Sequence, residues 1–213
     1  MTPFTTLRSV AAPMPDADID TDVIYPARFL LLTRKTDLGG CAFHELRFDA
    51  EGHERPEFVL HRAPWRGAQI LVAGANFGCG SSREQAPWAL AGLGLRCLIA
   101  PGFGEIFEAN CINNGLLPVT LAPAPHAQVL AAAERGETLD VDLNACRIVL
   151  ADGRAIDFQL GERQRQALLH GWDEIDRIRH EEGQHIAAFE QRQRLVQPWL
   201  YASDAGASHS PHP

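Results

Sequence analysis

Short apolar runs alternate with helical patterns through the middle of the chain, and this alternation constrains the fold more than any other feature. Runs typical of buried strands occupy residues 68–74, 96–102 and 116–121, and the segments between them have the apolar spacing of helices. Strands that alternate with helices over short connections are typical of a parallel sheet covered by helices. The sequence therefore predicts an α/β fold.

The flanking segments extend this pattern in both directions. We expect an opening strand at residues 5–14, a further strand at 58–64, and a mobile loop around residues 33–48, where Gly39 and Gly40 interrupt the pattern. After a helix at 126–136, the sequence predicts short antiparallel strands at 138–143, 146–152 and 155–160, then terminal helices from 162 to about 193.

The chain contains no linker long enough to separate two independent domains. We therefore expect one domain over residues 1–200, including C-terminal helices, and a disordered tail at residues 201–213.

Composition and charge exclude several kinds of partner. The 213 residues are 46% hydrophobic and 22% charged, with a net charge of −8, which offers no basic face for nucleic acid. The chain has neither a basic start followed by an apolar run nor about 18 consecutive apolar residues. We expect a cytoplasmic protein with no nucleic-acid partner and no membrane partner.

The cysteines argue against a metal centre held by this chain. They number five, are widely spaced and include no C-x-x-C pair, whereas zinc sites and iron–sulfur clusters usually use at least one closely spaced pair. His180 and His185 are five residues apart and would diverge on a helix surface. The sequence predicts free thiols in a reducing compartment and no metal ligands.

Residues 76–87, NFGCGSSREQAP, stand where a predicted strand gives way to a helix. The stretch lacks the lysine of a phosphate loop, the third glycine of a dinucleotide fingerprint and the G-x-S-x-G of a nucleophile elbow. Free N–H groups at a helix N-terminus nevertheless favour an anion, and Gly78 and Gly80 let the backbone approach it. Arg83 adds a planar fork suited to a carboxylate. A site for a small carboxylate is predicted here.

Helix initiation offers a second interpretation of the same stretch. Ser81 and Glu84 have the spacing of a capping box, in which both side chains only start a helix. Pro87 argues for a regular helix that begins nearer Glu84. These residues alone leave open whether Ser81 is a cap or a functional group.

Three stretches together resemble the small-subunit family of the 3-isopropylmalate dehydratases, within the aconitase family. They are ANFGCGSSREQAPWAL, the upstream DIDTDVIYPARFL and the downstream NNGLLPV, and the similarity extends from about Leu7 to Trp199. The resemblance implies the swivelling β/β/α domain of the aconitase C-terminal-domain type. It also implies a hydro-lyase subunit that interconverts 2- and 3-isopropylmalate through the alkene, in leucine biosynthesis.

The resemblance further implies a division of labour between two subunits. The family reaction uses a [4Fe-4S] cluster, and here a separate large subunit would carry it and be the partner of this chain. Ser81 matches the family's catalytic serine, an alkoxide that removes a proton from the carbon next to a carboxylate. Arg83 matches its substrate-binding arginine, and Asp22 aligns with an acidic residue of its active site. A turn-forming role for Asp22 stays open.

The remaining matches concern binding of the small dicarboxylate substrate. Ser82 lies beside Arg83, and Arg28 stands where the family has a basic residue, although it could simply pack over Phe29. Leu31 stands where members acting on substrates with an additional carboxylate tend to have an arginine, so an apolar contact with an isopropyl group is expected. Leu31 could instead belong to the core.

The sequence leaves two other functions open. The chain could serve a related dehydratase for citraconate or 2,3-dimethylmalate, or it could be a carboxylate-binding module without catalytic activity.

Overall fold

A seven-stranded mixed sheet forms the centre of the computed structural model, which describes residues 1–31 and 35–201. In chain order the strands are β1 (Thr6–Met14), β2 (Ile70–Ala73), β3 (Cys97–Ala100), β4 (Leu117–Thr120), β5 (Thr138–Asp142), β6 (Arg147–Val149) and β7 (Ala155–Asp157). Their order in the sheet is β4-β3-β2-β1-β5-β6-β7. β1 to β4 pair in parallel, whereas β5, β6 and β7 continue from β1 as antiparallel strands.

Helices lie between and after these strands along the chain. The α-helices are α1 (Thr21–Ile24), α2 (His44–Arg47), α3 (Gln85–Gly92), α4 (Glu105–Asn113), α5 (Pro123–Glu134), α6 (Glu162–His170) and α7 (Glu174–Val196). Short 3-10 helices span Ala27–Phe29, Lys35–Cys41, Val59–His61 and Pro198–Tyr201. α3 and α4 are the crossovers between successive parallel strands, as the alternating pattern predicts.

β2 and β3 are apolar throughout because both faces of that half of the sheet are covered. All four residues of β2 are buried: Leu71 and Ala73 join one apolar cluster, while Ile70 and Val72 join the other. Successive side chains of a strand point to opposite faces, so each strand supplies both cores. β5 instead alternates buried and half-buried residues, as expected for a strand with one covered face.

β1 is the strand at which the pairing changes from parallel to antiparallel. It lies between β2 and β5, and the loop after it meets the loop after β2 at the same edge of the sheet. The Gly74 amide donates to the Met14 carbonyl oxygen at 3.0 Å, which joins the two loops at their start. Carboxyl ends of parallel strands are the usual place for ligand sites in α/β sheets.

One local expectation is wrong. Residues 58–64 do not form a strand: turn-type bonds such as His61 N–H to Phe58 O, 2.9 Å, give a 3-10 helix that buries Val59 and Leu60. Within the segment interpreted as a mobile loop, Leu38 and Phe43 are fully buried, and its mobility stays a prediction. Residues 33 and 34 of that loop lie outside the described residues.

The chain divides into two compact units, Met1–Asp173 and a second unit that begins at Glu174. The terminal helices are present as predicted, whereas the single domain over residues 1–200 stays a prediction. Tyr201 ends a 3-10 helix, and the rest of the predicted tail, residues 202–213, lies outside the described residues. Over the part of the chain that is described, no helix has both the length and the apolar character to cross a membrane.

Candidate active site

Residues 78–83 lie against residues 19–22 beyond the carboxyl ends of β1 and β2, and we call these two segments the serine edge. Backbone hydrogen bonds join them: Gly78 N–H donates to Ile19 O at 2.7 Å, and Thr21 N–H donates to Cys79 O at 3.0 Å. The Thr21 hydroxyl adds a bond of 2.8 Å to the Ser81 carbonyl oxygen. The backbone around Ser81 is therefore held in place from the neighbouring loop.

Glycine is required at Gly78 for conformation and for space. Its φ is 74°, in the left-handed region that L side chains rarely adopt. A Cβ at this position would lie 2.2 Å from the Phe107 ring, on the first turn of α4. The turn can therefore pack directly on α4 only if residue 78 has no side chain.

The helix after the turn begins later than the capping-box interpretation requires. α3 starts at Gln85, Glu84 occupies the N-cap position, and no side chain caps it. The capping-box interpretation of Ser81 is therefore wrong, while the expected start near Glu84 is confirmed. Ser81 is exposed, and within residues 1–31 and 35–201 its hydroxyl forms no hydrogen bond. Its side chain is available for chemistry.

The Arg83 side chain is largely sheltered, with 15% of it exposed. Its guanidinium forms an ion pair with Asp22, and Nη1 also donates to the Tyr25 carbonyl oxygen at 3.4 Å. Asp20, not Asp22, makes the local turn bond, because its Oδ1 accepts from Val23 N–H at 2.8 Å. The turn-forming interpretation thus belongs to Asp20, and the Asp22 carboxylate faces Arg83.

Residues 27–31 and 44–47 form a separate group, which we call the loop edge. Arg28 pairs with Glu45, contacts His44 Nδ1 at 2.9 Å, and lies 4.6 Å from the centre of the Phe29 ring. Packing over Phe29 is therefore confirmed for Arg28. Leu31 is 92% exposed, so its assignment to the core is wrong.

Tyr25 connects the two edges. Its carbonyl oxygen accepts from Arg83, and its hydroxyl donates to the Phe29 carbonyl oxygen at 2.6 Å. Burial raises the pKa of the Tyr25 hydroxyl. On the loop edge, burial and then the neighbouring Arg28 charge lower the pKa of His44, which favours its neutral ring beside the guanidinium. The structure brings Asp22 and Arg83 together beside Ser81 and Ser82, and it gives Arg28 different partners.

Asn114 supports the site, and the sequence interpretation missed this role. Its Oδ1 accepts from the Trp88 indole N–H at 2.7 Å, and its Nδ2 donates to Glu84 Oε1 at 3.3 Å and to Asn110 O at 2.8 Å. The bonds join the end of α4 to the start of α3, directly after Arg83. The signal was the NNGLLPV stretch, which served only as part of the resemblance.

The thiols of this chain do not fit an iron–sulfur cluster. Burial raises the pKa of Cys97 and of Cys111, so both stay protonated in apolar surroundings. Burial and the charges of Asp18 and Asp20 also raise the pKa of Cys79, beside the site. In the described ranges, no three His, Cys, Asp or Glu side chains are placed to hold a metal ion.

Comparison with known proteins shows to which family this chain belongs. The model of the aconitase C-terminal domain matches residues 1–124. The 3-isopropylmalate dehydratase small subunit of Rhodospirillum centenum is 49% identical over 201 residues, which cover 93% of this chain and 98% of the relative. The chain belongs to the 3-isopropylmalate dehydratase small-subunit family. The small subunit of Paramagnetospirillum magneticum, 45% identical over 94% of this chain and all of the relative, agrees.

A solved structure supports the fold of the family. The crystal structure of 3-isopropylmalate dehydratase from Methanocaldococcus jannaschii matches with a TM-score of 0.61 and 24% identity, over 92% of this chain and 99% of the other. The predicted α/β fold of the aconitase C-terminal-domain type is thus confirmed, and so is the resemblance to the family.

Proposed function

We propose that this chain is the small subunit of a 3-isopropylmalate dehydratase, a hydro-lyase that interconverts 2- and 3-isopropylmalate in leucine biosynthesis. The match over nearly the full length of named small subunits carries the proposal. The serine edge supports it independently, since Ser81 caps no helix and lies beside the sheltered Arg83, just before α3.

Ser81 acts as the base in this proposal. As an alkoxide it takes the proton from the carbon next to a carboxylate, while the hydroxyl on the adjacent carbon departs and the alkene forms. Rehydration of the alkene returns a proton and a hydroxyl at exchanged positions. A serine hydroxyl is a very weak acid, so its anion needs a nearby positive charge, which Arg83 supplies in this proposal.

Arg83 binds a substrate carboxylate through its planar fork, and Asp22 holds that fork in position before substrate arrives. Ser82 adds a hydroxyl beside the same carboxylate. Because Arg83 is mostly covered by protein, its bonds to substrate form with little competing water, which strengthens them.

Arg28 and Leu31 contribute to the choice of substrate. Arg28 would exchange its exposed partner Glu45 for a second substrate carboxylate and keep its contact with His44 on α2. Leu31 presents an exposed apolar side chain that suits an isopropyl group and leaves a third carboxylate without a partner.

The large subunit completes the active site in this proposal. It would hold the [4Fe-4S] cluster, because the cysteines of this chain do not, and the bound cluster supplies a Lewis acid for the departing hydroxyl. The five cysteines of the small subunit are free, which suits a reducing compartment such as the cytoplasm.

Anaerobic dehydration assays test the proposal. This chain, the cluster-bearing large subunit and their mixture are each given 2- and 3-isopropylmalate, with citraconate, 2,3-dimethylmalate and citrate as competitors. We expect turnover only in the mixture, mainly with the isopropylmalates. A preference for another diacid would keep the chemistry and change the substrate. A complex that forms with an intact cluster and turns over none of them would overturn the proposal in favour of a binding module.

A further inference from the structure

Two glycines bring the 3-10 helix Lys35–Cys41 into direct backbone contact with α3. A Cβ on Gly39 would lie 2.3 Å from both the carbonyl carbon and the oxygen of Gly92, and 2.8 Å from Leu93 N. A Cβ on Gly92 would lie 2.8 Å from Gly39 N and 3.0 Å from its Cα. These distances leave no room for a methyl group on either side.

Space, rather than backbone conformation, is the reason for glycine at this contact. Neither Gly39 nor Gly92 has a positive φ, so an alanine would fit the local backbone of each. The neighbouring Gly40 provides a natural comparison: it is exposed, and a Cβ there would have no atom within 4 Å.

Arg47 fastens the same 3-10 helix to α2. Its Nη1 donates to the carbonyl oxygens of Gly39 at 2.9 Å, Gly40 at 3.4 Å and Ala42 at 3.1 Å. Burial lowers the pKa of Arg47. The guanidinium of this partly buried residue donates to these three backbone carbonyls. The position of Gly39 and the position of α2 are therefore coupled.

α2 in turn carries the partners of Arg28. Glu45 and His44 both contact the Arg28 guanidinium. A continuous series of contacts thus runs from Gly92 at the end of α3, through Gly39 and Arg47, to Arg28. The other end of α3 follows the serine edge directly, so one rigid helix relates both edges of the site.

We propose that the Gly39–Gly92 contact is a positioning device that sets the distance of Arg28 from the serine edge, and hence how well the substrate fits. The inference rests on the proposed function. Neither glycine touches substrate, and both act through α2. Binding should therefore depend on the contact, whereas proton removal by Ser81 should not.

Steady-state kinetics of Gly39→Ala in the complex with the large subunit test this device, with Gly40→Ala as the matched control. We expect Gly39→Ala to raise the KM for 3-isopropylmalate roughly tenfold with kcat changed less than about twofold, since lost uniform binding appears in KM. Gly40→Ala should match the wild type. In Gly92→Ala the new methyl group would overlap the Gly39 backbone less severely, so this variant should also raise KM.

The outcomes separate the two levels of the proposal. Folded Gly39→Ala or Gly92→Ala with wild-type KM, or with a loss confined to kcat, would overturn the positioning role. If Gly39→Ala does not fold, Gly92→Ala decides by the same criterion. An equal KM shift in Gly40→Ala would also overturn it. A wild-type complex that does not turn over 3-isopropylmalate would contradict the proposed function, and the inference that rests on it would fail as well.

Discussion

The serine edge is held by backbone hydrogen bonds between neighbouring loops, whereas side chains half exposed to solvent hold the loop edge. On the first, Thr21 and Cys79 are joined through main-chain atoms and Arg83 is largely covered. On the second, the side chains of Arg28 and Glu45 are 52% and 57% exposed. Exposed ion pairs contribute only about 0–1 kcal/mol, so the two edges differ in how firmly they are held.

This difference suits the two tasks proposed for the edges. Main-chain bonds persist when side chains change, so the placement of Ser81 depends on few side chains, of which the Thr21 hydroxyl is one. Side-chain contacts on the loop edge can be exchanged singly, which lets substrate preference change without disturbing the base.

Ser81→Ala should lower kcat by about 10²–10⁴-fold, because it removes the proposed base while the bond from Thr21 to the Ser81 carbonyl remains. Anaerobic assays of the complex measure this, and co-elution with the large subunit checks assembly. Ser82→Ala provides the comparison and should act mainly on KM. Full turnover by Ser81→Ala would show that the serine edge is not the place of chemistry.

Arg83→Lys should lower kcat/KM by roughly 10–100-fold, since one charge-assisted bond of a fork is worth about 1.5–3 kcal/mol and every 1.4 kcal/mol is tenfold. The charge is kept, so the loss reports the planar geometry that pairs with Asp22. Kinetics with 3-isopropylmalate measure it. An unchanged kcat/KM would mean that any cation suffices here.

Asn114→Ala should destabilise the chain by about 1–3 kcal/mol, because it removes the acceptor of the Trp88 indole N–H and a donor to Glu84. Thermal unfolding should show a Tm lower by roughly 2–4 °C for each kcal/mol. Asn113→Ala is the matched control: Asn113 is exposed, so little change is expected. Equal changes in Tm for the two substitutions would contradict the supporting role of Asn114.

His126 should make stability depend on pH at the base of the serine edge. Its Nε2 donates to Ala73 O at 2.8 Å, at the end of β2, and burial lowers its pKa. A lowered pKa in the folded state means that stability is present above the ordinary value near 6.5 and is lost as pH falls below it. Tm should fall more steeply between about pH 7 and 5 in the wild type than in His126→Gln. Parallel profiles of the two proteins would contradict this assignment.

Glu45→Gln should have the smallest effect, with the free energy of unfolding changed by less than about 1 kcal/mol, because the pair with Arg28 is exposed to solvent. Denaturant titration of wild type and variant measures the difference. A larger loss would show that the loop edge is held as firmly as the serine edge and would end the contrast between them.

Local patterns predicted the regular elements well and the irregular segments poorly. The apolar runs of β2, β3 and β4 and the helical spacing between them are confirmed, because a segment buried on both faces or on one stripe must carry that pattern. Residues 58–64 resembled a strand yet contain a 3-10 helix at Val59–His61, since pairing with a neighbouring strand is a property of the fold and not of the segment. Leu31 shows the same limit: an apolar side chain does not reveal whether anything covers it.

The sequence by itself determined the α/β class, the glycine-rich turn and the residue types offered to a carboxylate, because each depends on neighbours along the chain. Only the tertiary structure decided that Ser81 is not a helix cap, that Asp22 faces Arg83, and that Gly39 meets Gly92. The last two contacts are between residues 61 and 53 positions apart in the chain. The cap assignment depends instead on where α3 begins. Contacts between distant segments are set by how the sheet and helices pack, and no local pattern encodes that packing.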